Sequence, residues 1–304
     1  MREIIIDIET NMGASHIWCA VTKDLSTQEV KVWTEAEKLQ GFLAKESTII
    51  GHNVIGFDAP VLKKHWNIQL DNHQIKDTLV MSRLLKPTIE NGHSLRAWGQ
   101  RLGKNKDDFK DFDGGLTSEM VRYCKQDVEV TATLYKRLTN DLLGWGKSVD
   151  LEHRVALIVK QQEDTGFKLN VRQAMSLLVG WKNRINEIQC ELQQVFKPIV
   201  SVRFSEKTGK KLKDKTEVFN PASRKQIAER LMALGWQPTK HTEKGSVIVD
   251  EGTLQTIDIP QAKLIAEYLL VQKRVAQVES WIDHADHSDR VHCKVITNGA
   301  VTGR

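Results

Sequence analysis

Asp7-Ile8-Glu9, Asn53-Val54-Ile55-Gly56-Phe57-Asp58 and Tyr123-Cys124-Lys125-Gln126-Asp127 are the three segments of this 304-residue chain best suited to chemistry. Together they hold four acids and a tyrosine. Four carboxylates gathered in one pocket repel one another strongly unless cations lie between them. Ligand sets made only of oxygen suit Mg²⁺ or Mn²⁺. Two such ions about 4 Å apart form a common device for in-line displacement at phosphorus. The pattern therefore points to metal-dependent hydrolysis of a phosphodiester. A four-acid site reads only phosphate, so the acids do not distinguish DNA from RNA.

Taken singly, each motif also has a plainer reading. Asp7 and Glu9 follow Glu3-Ile4-Ile5-Ile6, a β-branched run that reads as a buried strand. Alternation along a strand puts both acids on one face. Asp58, just before Pro60, also fits a helix N-terminus. Asp127 alone reads as an exposed helix charge. Tyr123 stands four residues before it, so the two share a helix face; alone, Tyr123 reads as core packing. His52 is assigned to packing and Asn53 to a turn or a substrate contact. Cys124 is expected to point away from the Tyr123 and Asp127 side.

The elements that must position these residues alternate in type over the first 140 residues. Strands are predicted at 3–8, 17–22, 29–33 and 48–51, and helices at 60–65, 78–85, 94–102 and 118–138. This order suits an α/β domain, a mixed sheet flanked by helices. Two glycines in residues 141–146 break the helical pattern, which places a domain boundary between 145 and 146. Beyond it the chain reads as mainly helical, with long amphipathic runs at 151–162, 171–195 and 261–282. Ser223-Arg224-Lys225-Gln226 has capping-box form. Residues 203–215 read as a flexible basic loop, and 291–297 alternate like a strand.

The three motifs in this order resemble those of the DEDD superfamily of 3′→5′ exonucleases, in its tyrosine variant. Wider similarity runs through Asp77-Thr78-Leu79-Val80-Met81-Ser82-Arg83-Leu84 and Leu95-Arg96-Ala97-Trp98-Gly99-Gln100-Arg101-Leu102-Gly103. It continues in Val218-Phe219-Asn220-Pro221-Ala222-Ser223-Arg224, Gly235-Trp236-Gln237-Pro238-Thr239-Lys240 and Tyr268-Leu269-Leu270-Val271-Gln272-Lys273-Arg274. It ends in Asn298-Gly299-Ala300-Val301-Thr302-Gly303-Arg304. These segments resemble family A DNA polymerases of T-seven-like short-tailed phages over nearly the whole chain.

The resemblance implies a ribonuclease-H-like exonuclease domain at 1–145. A thumb-like DNA-binding region follows at 146–304 and ends at the first polymerase motif. It implies that Asp7, Glu9 and Asp127 hold one Mg²⁺, with Mn²⁺ as a substitute. Asp7 would bridge to a second ion that Asp58 helps to place, and Tyr123 would orient the attacking water. Asn53, Lys273, Arg274 and Arg304 are the expected substrate contacts. The expected substrate is a DNA primer 3′ end, single-stranded or frayed, and the expected place of work is the cytoplasm of an infected bacterial host. The family's palm carboxylates and fingers have no counterpart here, so a second polypeptide carrying them is the expected partner. The interval 200–217 is short where the phage family carries a thioredoxin-binding insertion, so no thioredoxin dependence is expected. Three other readings remain: a free-standing exonuclease with a DNA-binding thumb, a non-catalytic DNA-holding subunit, and a piece of a longer polymerase. The complete acid set argues against the second.

Charge is uneven along the chain. Up to Trp145 there are 19 Lys and Arg against 20 Asp and Glu, and from Gly146 onward 25 against 19. Lys and Arg give sequence-independent, salt-sensitive affinity for phosphates. Six of the basic residues fall between Arg203 and Lys215. Cys19, Cys124, Cys190 and Cys293 show no C-x-x-C spacing and are expected to be reduced. No apolar run approaches the length of a membrane span, and the N-terminus does not read as a signal peptide.

Overall fold

The computed structural model describes residues 2–45, 47–70, 74–104, 109–204 and 207–302. The chain divides into two compact units, Met1–Thr165 with Cys293–Arg304, and Gly166–His292.

The first unit is built on a five-stranded mixed sheet in the order β3-β2-β1-β4-β5. Its strands are β1 (Arg2–Thr10), β2 (Ile17–Asp24), β3 (Val30–Trp33), β4 (Ser47–Gly51) and β5 (Gln74–Asp77). β1 to β3 are antiparallel, while β4 and β5 run parallel to β1. The helices are α1 (Ala36–Leu43), α2 (Asp58–Trp66), α3 (Thr78–Leu85), α4 (Leu95–Arg101), α5 (Ser118–Asp141) and α6 (Gly146–Thr165). Alternation sorts β1 between two layers. Ile4, Ile6 and Ile8 pack with Leu39 and Leu43 of α1 and Val61 and Leu62 of α2. On the opposite face Ile5 packs with Cys124 and Val128 of α5. Each fully buried Ile contributes roughly 1.5–3 kcal/mol, so a register slip that turned this strand over would be strongly disfavoured.

Caps fix where the helices begin. Thr117 accepts the Met120 N–H at the start of α5, and Ser94 accepts the Ala97 N–H at the start of α4. In this unit two elements escaped sequence reasoning: α1, which has no side-chain hydrogen bond at its N-cap Glu35, and β5. The compact unit runs past the predicted boundary because α6 packs back on it. Lys76 pairs with Asp150 at 2.7 Å, and Ala156 packs on the β1 core. Gly166 sits where the second unit begins. A Cβ there would lie 2.8 Å from the Val291 carbonyl oxygen, and its φ of +63° favours glycine.

The second unit contains β6 (Phe167–Lys168), α7 (Val171–Val195), β7 (Ile199–Phe204), β8 (Lys211–Glu217), α8 (Arg224–Ala233), α9 (Glu251–Thr256), α10 (Pro260–Asp283) and β9 (Arg290–Val291). Ile188 and Leu192 of α7, Ile227 and Leu231 of α8, and Ile265 of α10 share one core with Phe219. Arg184 of α7 holds Glu267 of α10 with two hydrogen bonds, at 2.7 and 2.9 Å. The capping box at Ser223 is half formed. Ser223 accepts the Gln226 N–H, but the Gln226 side chain takes the N–H of Asn220 instead of that of Ser223.

Two expectations are corrected. The predicted basic loop 203–215 lies largely in an antiparallel hairpin of β7 and β8, whose connection contains Gly209 at φ +64°. Lysines alternating with Leu212, Asp214 and Thr216 supply the period of two that a strand needs. The predicted strand 291–297 shrinks to Arg290–Val291, paired with β6. Past it, side chains replace ladder partners. Glu163 accepts the Val295 N–H at 2.7 Å, and the Asn298 amide donates to Glu152 at 2.9 Å.

Candidate active site

β1 outruns its parallel neighbour. Its pairing with β4 ends at Ile5–Ile50, so the next backbone groups on that edge have no strand beside them. Asp58, in the first turn of α2, fills part of the gap: its Oδ1 accepts the Ile8 N–H at 3.1 Å. This bond puts the Asp58 carboxylate beside the backbone between Asp7 and Glu9. Those two acids face α5, where Tyr123 and Asp127 share the buried side of the helix. Asp7 is half-buried, while Glu9, Asp58, Tyr123 and Asp127 are all under a tenth exposed.

The electrostatics follow from this crowding. Burial pushes the Asp58 carboxyl up to about 7. The charges of Asp77 and Asp127 add to the rise, against hydrogen bonds from the N–H groups of Asp58 and Ile8. A carboxyl held up in this way marks a place where a cation would be favourable. Ligand atoms of Asp7, Glu9 and Cys124 lie within 4.8 Å of one another. Burial, first of all, drives the Cys124 thiol well above its ordinary value, and the Asp7 and Glu9 carboxylates beside it are oxygen donors. That set fits a hard divalent cation such as Mg²⁺.

Cys124 does not turn away, as its position beside Tyr123 led us to expect. Its sulfur lies 3.4 Å from Asp7 Oδ2 and 3.6 Å from the Asp7 carbonyl oxygen. The buried face of α5 is wide enough to include positions 123, 124, 127 and 128 together. Asn53 is exposed, with a left-handed φ of 65°. Its carbonyl accepts the N–H groups of Gly56 and Phe57, and its side chain lies so close to Gly56 that a Cβ there would meet Oδ1 at 2.4 Å. His52 contacts the Thr78 hydroxyl through Nδ1 at 2.9 Å, in keeping with a packing role.

Lys273 and Arg274 are exposed on α10 in the second unit. Arg304 lies outside the described residues.

Several residues around the acids were not foreseen. β1 and β2 slip register between Glu9 and Thr10, leaving Trp18 as the extra residue of a bulge. Its indole N–H donates to the Phe112 carbonyl at 2.8 Å. Phe109 and Phe112 flank the Tyr123 ring, with centroids 5.8 and 6.2 Å from it. Asp77 is 1 % exposed and His153 is 5 % exposed. A β-branched and aromatic run at Ile17-Trp18-Cys19 carries no sign of a bulge. For Asp77 a signal did exist, since an Asp directly before Thr78-Leu79-Val80-Met81 has the form of an N-cap.

The structure thus gathers four acids at one end of a mixed sheet, with a tyrosine on the facing helix of an α/β scaffold. Residues 1–143 match the family model described as 3′-5′ exonuclease. Over 99 % of its length the chain is 28 % identical to the DNA-directed DNA polymerases of Escherichia phage T7 and Enterobacteria phage T3. It spans 61 % of the length of those relatives. The alignments run over 428 positions against 304 residues, so both relatives hold residues within the span that this chain lacks. Among solved structures it resembles the POL domain of Pol1 from M. smegmatis, in complex with DNA primer-template and dNTP. That match has a TM-score of 0.71 at 13 % identity and covers 99 % of this chain and 50 % of the other. The chain is thus similar along its length to these phage DNA-directed DNA polymerases, and its N-terminal 143 residues match a 3′-5′ exonuclease model.

Proposed function

We propose that the chain is a metal-dependent 3′→5′ DNA exonuclease that proofreads for a phage replicative polymerase. Convergence of Asp7, Glu9, Asp58 and Asp127 at one sheet end, within the exonuclease match, carries this reading. The exonuclease domain is taken as 1–145 and the DNA-binding, thumb-like region as 146–304.

The four acids would hold two divalent ions, Mg²⁺ or Mn²⁺, which supply a water of lowered pKa and stabilise the departing 3′-oxygen. Tyr123, its ring set by Phe109 and Phe112, orients that water through its hydroxyl. Asn53 hydrogen-bonds the terminal nucleotide. Water adds to phosphorus, the bond to the 3′-oxygen breaks, that oxygen gains a proton, and a 5′-mononucleotide leaves. In the second unit, Lys273, Arg274 and the lysines of β7 and β8 bind phosphates. The resemblance puts the phage family's thioredoxin-binding insertion at the interval 200–217, and binding without thioredoxin belongs to this reading.

A 5′-labelled primer on a longer template tests it, with Mg²⁺ or EDTA and with or without deoxynucleotides. A ladder of shortened primers in Mg²⁺ only is the expected result. No shortening in any condition would sink the exonuclease reading. Extension would show polymerase activity within residues 1–304, and size exclusion with a polypeptide carrying palm and fingers would show whether the two associate.

A further inference from the structure

The turn from Asn53 to Asp58 carries two of the proposed site residues, yet its shape is held from outside that motif. β4 and β5 end side by side, with Gly51 opposite Asp77. The Asp77 carboxylate therefore lies beside the point where the turn leaves the sheet. Its Oδ1 accepts the N–H groups of Asn53 and Leu79, both at 2.9 Å, and its Oδ2 accepts the Ile55 N–H at 3.0 Å. Asn53 sits in the left-handed region, which asparagine adopts more readily than other non-glycine residues. Asp77 fixes the backbone on both sides of Val54 through the Asn53 and Ile55 N–H groups.

Asp77 is held in turn by α6. Its N–H donates to Nε2 of His153 at 2.7 Å, so that nitrogen is the acceptor. The ring proton is then on Nδ1, which donates to the Val149 carbonyl at 2.7 Å. Both ring nitrogens of a buried histidine are thus used, and the tautomer follows from the partners. α6 lies beyond the residues matched by the exonuclease family model, but within the same compact unit.

We infer that His153 and Asp77 form a positioning relay that sets the Asn53–Asp58 turn, and with it the Asp58 carboxylate, for the reaction. The inference rests on the exonuclease reading for its functional part. Outer partners that orient a ligating carboxylate typically cost ~10–100-fold in activity or metal affinity when lost. Asp77→Asn is the sharp variant. Its amide can keep one oxygen for Asn53 and Leu79 but sets an NH₂ against the Ile55 N–H, donor against donor. His153→Leu removes the acceptor of the Asp77 N–H, whereas His153→Gln can still offer one.

The experiment uses the full chain and reads hydrogen exchange over residues 52–58, manganese binding by EPR, and turnover on a 5′-labelled single strand. Asp77→Asn and His153→Leu should exchange faster over 52–58 and bind manganese as weakly as an Asp58→Asn reference. Both should lose ~10–100-fold in kcat with KM little changed, and His153→Gln should recover most of the loss. Normal exchange over 52–58 in Asp77→Asn overturns the inference. So does faster exchange with unchanged manganese binding and turnover. If Asp77→Asn does not fold, the two His153 variants decide by the same criteria. If the unsubstituted chain hydrolyses nothing, the exonuclease reading fails, while exchange and manganese binding still decide the relay.

Discussion

In the sheet-containing unit Glu9, Asp58, Asp77 and Asp127 are each less than a tenth exposed, whereas in the helical unit the basic side chains of β7, β8 and α10 stand in solvent. Two of the buried acids are tied to backbone N–H groups of other segments, Asp58 to Ile8 and Asp77 to Asn53 and Ile55. The exposed cations have at most near neighbours: Lys211 with Asp214 at 3.5 Å and Lys215 with Glu217 at 3.3 Å. Such surface pairs contribute about 0–1 kcal/mol. The difference teaches where geometry is demanded. Buried carboxylates act at fixed positions and cost stability. Surface lysines act through a field that tolerates a shift of several ångströms.

The comparison is open to attack from its strongest point downward. Asp7→Ala removes the proposed bridging ligand and should lower hydrolysis by ~1,000-fold or more in a chain that keeps its circular dichroism. Substantial activity in that folded variant would contradict the bridging role. Tyr123→Phe keeps the ring between Phe109 and Phe112 but loses the hydroxyl. A fall of roughly 10–100-fold in kcat with unchanged manganese affinity is expected, and weaker metal binding would make Tyr123 structural.

Asp58→Asn should reveal what the buried charge costs. The Asp58 carboxyl, near 3.8 ordinarily, is raised to about 7 in the fold. Between those values the folded state holds the proton that the unfolded chain has released, so this group lowers stability as pH rises through the window. In EDTA, Asp58→Asn should therefore stabilise the chain at pH 8 by roughly 1–3 kcal/mol and change little at pH 4, while activity is lost. Thermal melts at the two pH values check this, and equal shifts at both would contradict it. The smallest effect belongs to the hairpin. Lys210→Gln with Lys213→Gln should move stability by less than about 0.5 kcal/mol. It should lower the salt slope of DNA binding by about 2, read from affinities over a salt series. An unchanged slope would remove β7 and β8 from the DNA contact.

Much of the site was legible before the fold. Strand alternation put Asp7 and Glu9 on one face, and helical spacing put Tyr123 with Asp127; both relations are local and repeat along the chain. The same local reasoning failed for Cys124, because adjacency on a helix does not say how wide the buried face is. It failed for 291–297, where alternation was present but no ladder partner was. It also treated 203–215 as a loop, since charge density masked a period of two.

Sequence by itself determined the proposed chemistry, through four acids with their tyrosine, and most of the elements that carry them. It also carried the resemblance from which a nucleic acid phosphodiester is proposed as the substrate. Only the tertiary structure decided that Asp58 meets the backbone between Asp7 and Glu9, that Trp18 is thrown out by a bulge, and that His153 reaches Asp77 from a helix assigned to the other domain. The physical reason is range. Alternation and helical period act over a few residues, whereas a bond between residues fifty or more positions apart exists only once the core has fixed both ends.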